Sequence, residues 1–91
     1  MKGVDVLKLA QAALQFADAV KARKQAEHAL DHAYSAWKHD NDITVMIQRG
    51  DDEWDAMMLA TQAEYLAVRR CRDRERRGRD KLVKLAGEVS A

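Results

Sequence analysis

The sequence contains no proline, a single cysteine, four glycines and one phenylalanine. Each shortage excludes something. Without proline, nothing in the backbone chemistry forces a helix to stop, so long helices are open to the chain. The lone cysteine, Cys71, permits no intramolecular disulfide, which fits a reducing, cytoplasmic compartment. No apolar run reaches the ~18 residues of a membrane span, so no membrane association is expected. The N-terminus does not read as a signal peptide, because Asp5, Lys8, Gln11, Gln15 and Asp18 interrupt its apolar runs. The net charge is only +1, so any electrostatic function must be local. There is no glycine-rich phosphate loop, no clustered acid–base pair and no nucleophile beside an orienting histidine. No enzyme and no cofactor is therefore expected.

What is present favours helix. Hydrophobic residues make up 47% of the 91 positions and charged residues 34%. A single domain of this size has a thin core. From Val4 onward the apolar positions follow a helical period. One heptad phase places Leu9, Phe16, Arg23, Leu30 and Trp37 at one seam position. It places Ala12, Ala19, Ala26 and Ala33 at the other. Alanines spaced seven apart let a second helix approach closely. The spacing predicts a helix over about 4–49, with a bend allowed at 39–43, where His39–Ile43 weakens it. Gly50 then suits the left-handed residue past a helix end. Asp51 or Asp52 can cap the next helix, and Glu53 and Asp55 complement its dipole. A tight turn at 50–51 and a second helix over about 52–86 follow.

This pattern is an all-α antiparallel hairpin, coiled-coil-like along an alanine-rich seam. Folding it at Gly50 and Asp51 sets Phe16 against Leu85, Ala19 against Leu82, Leu30 against Cys71 and Ile43 against Met58. The stretch 54–68 is apolar almost all round, too much for one partner helix to cover. Self-association is expected, most simply two hairpins in a four-helix bundle.

The most conspicuous segment is RRCRDRERRGRDK, from Arg69 to Lys81, with eight basic residues against three acids. Arg69–Asp73, Asp73–Arg77, Glu75–Arg79 and Arg76–Asp80 have i,i+4 spacing, so the run is partly self-neutralised. The hairpin brings Lys21, Arg23 and Lys24 beside Arg76 to Arg79. The candidate partner-binding band is therefore Arg69, Arg70, Arg72, Arg74, Arg76, Arg77 and Arg79 with Lys21, Arg23 and Lys24. Arginine suits bidentate contact with carboxylate or phosphate. An acidic protein surface is the expected partner and nucleic acid the alternative. Trp54, Met57, Met58, Tyr65 and Trp37 are candidate anchors for a partner or for a dimer. His28, His32 and His39 lie on one helix face, but His39 is too far along the axis to join the other two on a metal. No metal site is expected.

Two resemblances bear on function. EYLAVRRCR followed by DRERRGRDKL is similar to the basic region of basic-region leucine zipper proteins, with Ala67, Val68, Cys71, Arg72 and Leu82 in register. Glu64 stands where that family carries its base-reading asparagine, and Leu82 and Val89 alone are too few heptad positions for a zipper. The match is coincidental. In length and composition the chain resembles the small helical accessory proteins with which phages and mobile elements inhibit a host protein. That resemblance implies a protein-binding inhibitor that acts by occlusion. A structural bundle subunit is a further alternative.

Overall fold

A computed structural model describes residues 3–90, with side chains from residue 5 onward. It is helical, with three segments: α1 (Gly3–Asp40), α2 (Asp52–Ala60) and α3 (Gln62–Ser90). The molecule is a rod of 60 × 20 × 18 Å. At ~1.5 Å rise per residue, the 38 residues of α1 alone account for about 57 Å of that length. α2 and α3 run back along α1.

The seam of α1 follows the expected heptad. Ala12 and Ala19 are buried, and Leu9, Phe16, Arg23, Ala26, Leu30, Ala33 and Trp37 are half-buried. The facing seam has the same alternation of three and four. It runs Met57, Thr61, Glu64, Val68, Cys71, Glu75, Gly78, Leu82, Leu85, Val89, with Met57, Thr61 and Val68 buried and the others half-buried. Three polar residues, Thr61, Glu64 and Glu75, and a glycine in this second seam hide its period from a hydrophobicity reading.

The first helix ends at Asp40, not near residue 49. Its stop is a Schellman motif. Asp42 takes a left-handed φ of 55°. Its N–H donates to the His39 carbonyl, and the Ile43 N–H donates to the Lys38 carbonyl at 2.9 Å. Asn41 adds a side-chain bond to the Trp37 carbonyl at 2.8 Å. Asn and Asp tolerate this conformation better than other non-glycine residues, which is why the helix ends here without glycine or proline. Residues 41–51 form an irregular connection with Ile47 buried, and it closes on a tight turn over 48–51, where the Asp51 N–H donates to the Gln48 carbonyl at 3.0 Å. Gly50 does hold a left-handed φ of 100°, but it directly precedes the N-cap of α2 and does not follow the end of α1. Asp51 is the N-cap residue of α2. Its side chain accepts the Gln48 N–H at 2.8 Å and does not bond a helical N–H.

The second expected helix is divided at Thr61. The Thr61 N–H and hydroxyl both donate to the Met57 carbonyl, at 3.0 and 2.7 Å. Such back-bonding bends helices, and Thr61 itself leaves the helical region, with φ −108° and ψ 18°. The Tyr65 N–H still reaches the Thr61 carbonyl at 3.1 Å, so side-chain register carries through from α2 to α3.

The longer connection changes the pairing. Phe16 packs on Gly78 and not on Leu85, a displacement of two helical turns. A Cβ built on Gly78 lies 3.6–3.9 Å from Phe16 atoms. Ala22 therefore does not take the place beside Gly78. Near the connection, the Tyr34 hydroxyl donates to the Met58 sulfur at 3.6 Å and ties α1 to α2.

Candidate protein-binding surface

The shifted register sorts the arginine run into separate environments. Arg23 occupies a seam position on α1, and Glu75 occupies one on α3. Their side chains are 25% and 22% exposed and meet through two bonds: Arg23 Nε to Glu75 Oε2 at 2.7 Å, and Nη2 to Oε1 at 3.3 Å. This is a bidentate fork, the strong geometry for arginine and carboxylate. Glu27 joins the cluster by accepting from Arg23 at 3.2 Å and from Arg72 at 3.1 Å. The pKa directions follow from these contacts. Hydrogen bonds donated to Glu75, then to Glu27, raise Arg23. The bond from Arg72, with a smaller contribution from Arg23, lowers Glu27. The Arg23 bond lowers Glu75.

The expected i,i+4 pairs are replaced. Glu75 turns across to Arg23 rather than along α3 to Arg79. Asp73 pairs with Arg76 at i,i+3, 3.3 Å, and Asp80 pairs with its neighbour Arg79 at 3.9 Å. The shifted register divides the expected basic band. Arg23 is an internal ion-pair residue, and Arg72 reaches over to Glu27 on the same flank. Lys21 and Lys24 are exposed on α1 but line neither groove described below.

On the other flank the cations remain outward. Arg74, Arg77 and Lys81 line an open groove of about 370 Å³ together with Gln15, Ala19 and Gly78. The groove floor is low because Ala19 and Gly78 are small. No carboxylate belongs to its lining, and Arg74 and Arg77 make no ion pair among the described residues. A second groove of about 320 Å³ adjoins it, lined by Lys8, Gln11, Ala12, Gln15, Lys81 and Leu85. Lys81 Nζ donates to Gln15 Oε1 at 3.5 Å where the two grooves meet. Arg69 and Arg70 are exposed nearer the connection and also lack an ion pair among the described residues.

The candidate anchors also separate. Met57 is 2% exposed, a core residue with no face to offer a partner. Met58, Trp37 and Trp54 are half-buried, and Tyr65 is exposed at 37%. His28, His32 and His39 are exposed, and the described residues gather no set of three metal-ligating side chains. Glu27, Gln15 and Lys8 were absent from the sequence-based candidates. Glu75 was legible in principle, since it lies seven residues from both Val68 and Leu82 and so in phase with the seam. Glu27 and Gln15 carry no such signal, because only the register brings α3 to them.

No helix among the described residues is long and apolar enough to cross a membrane. The chain matches no family model, no curated protein and no solved structure at a significant level.

Proposed function

We propose that this chain is a non-enzymatic protein-binding module that docks on an acidic protein surface through Arg74, Arg77 and Lys81. The observation that carries this reading is the open groove whose lining holds three cations and no carboxylate, on a rigid helical pair. Guanidinium groups there can fork onto carboxylates without first breaking an internal pair. A rod about 60 Å long laid across a protein occludes what it covers. In this reading the chain acts as the small phage and mobile-element inhibitors do, and it works as a dimer of hairpins in the cytoplasm.

Phosphate would suit the same cations, so nucleic acid is the second reading. Two features favour protein. From Arg70 to Lys81 the outward row spans only ~17 Å. Glu27 on the opposite flank, and Asp73 and Asp80, which alternate with Arg70 and Arg77 along the exposed face of α3, are acids that a polyanion would meet as it wrapped the helix. The test is capture from nuclease-treated host lysate by the wild-type chain and by Arg74→Glu/Arg77→Glu. Wild type should retain a defined protein that the variant loses. Tight binding of duplex or single-stranded nucleic acid, weakening steeply with log salt, would overturn the protein reading.

A further inference from the structure

The exposed back of α2–α3 carries a second heptad, separate from the seam. Asp52, Ala56, Leu59, Ala63, Leu66 and Arg70 alternate at four and three residues, and all are exposed, with Leu59 at 75%. The Thr61 N–H to Met57 and Tyr65 N–H to Thr61 bonds keep i,i+4 spacing across the break, which holds the six near one face. A repeat of four and three presents a flat apolar stripe to a neighbouring helix. Its middle four residues alternate alanine and leucine, and its ends carry opposite charges.

We infer that this stripe is the face on which a second copy of the chain docks, antiparallel, about a two-fold axis passing beside Thr61. This deepens the dimer of the proposed function by assigning its interface. In that arrangement each leucine meets an alanine at every layer: Leu59 opposite Ala63 of the other copy, and Leu66 opposite Ala56. The same large-on-small packing holds the intramolecular seam, where Phe16 sits on Gly78.

Charge decides the occupant. Antiparallel docking sets Asp52 opposite Arg70 of the other copy. The flanking positions set Asp55 opposite Arg69. By symmetry each pair forms twice, and no like charges face one another across the stripe. All four residues are exposed, and none makes an ion pair among the described residues. A similar stripe on α1, Leu7–Ala10–Leu14–Ala17, lacks this match, because docking it on itself leaves Lys21 opposite Gly3.

The test uses two charge variants, Asp52→Arg/Asp55→Arg and Arg69→Asp/Arg70→Asp, with mass measured by light scattering. The wild type should have twice the 10.3 kDa chain mass. Each variant alone should dissociate at least tenfold more readily. An equimolar mixture of the two should recover the dimer, since all four pairs are then opposite in sign. Circular dichroism checks that each variant remains helical. As a measurement that leaves these charges intact, Gln62→Cys in a Cys71→Ser background should be joined by a short bis-maleimide, because Gln62 lies beside the axis. A wild-type monomer would sink both the dimer and this interface. A wild-type dimer whose two variants also stay dimeric would overturn this face while leaving self-association in place. Variants that remain monomeric on mixing would overturn it as well.

Discussion

The two halves of the α2–α3 seam obey one heptad and do different things. Toward the connection it is sealed: Met57, Thr61 and Val68 are buried, as is Ile47 of the connection. In the arginine half every seam residue of α3 is only half-buried, and the seam holds Glu75 and Gly78 where apolar residues would stand. The first half supplies hydrophobic stability. The second supplies register. Glu75 has one good partner across the seam, Arg23, and Gly78 accepts Phe16. A seam made only of alanine and leucine would tolerate sliding by a heptad, whereas a polar seam pair penalises it.

Removing mass from the sealed half should break this contrast most severely. Met57→Ala leaves a cavity at the most buried point of α2 and should cost about 2–5 kcal/mol in urea unfolding. A loss much under 1 kcal/mol would mean that the connection end is not the stable half.

Smaller effects belong to the arginine half. Gly78→Leu should destabilise by about 1–3 kcal/mol through overpacking against Phe16. Gly78→Ala should instead stabilise by about 0.5–1 kcal/mol. Its Cβ would sit at ordinary contact distance from Phe16, and alanine removes glycine's helix penalty. Equal effects of the two substitutions would show that Phe16 does not rest there.

The ion-pair cluster should register in acid. Glu75 and Glu27 both titrate below the ordinary glutamate value of 4.5 in the folded chain. The unfolded state therefore binds protons first as pH falls. The stabilisation is fully present above 4.5 and is lost as pH drops through the depressed folded values. The melting temperature should fall more in wild type than in Glu75→Gln over that range. Parallel curves would show that the bond to Arg23 contributes nothing to folding.

Much of the fold was legible in the residues. The seam of α1, its alanine spacing, the return of the chain and the acidic start of α2 all follow from local pattern. The end of α1 was less so. Asn41–Asp42 is a weak stop signal beside Gly50, and no tally of propensities predicts that an aspartate will take a left-handed conformation. The candidate site was legible as a list of arginines but not as a surface. Whether Arg72 or Arg77 stays free depends on which residues of α1 lie opposite, and the connection length sets that.

The sequence by itself determined that the chain is helical, where its alanine seam runs and that its charge is concentrated between Arg69 and Lys81. These are periodic or compositional properties, readable without knowing what faces what. Only the tertiary structure decided that Arg23 turns inward to Glu75, that Met57 is core, and that Arg74, Arg77 and Lys81 share a groove free of acids. Those depend on the relative axial position of two helices. A shift of two turns exchanges every partner while leaving each helix, taken alone, unchanged.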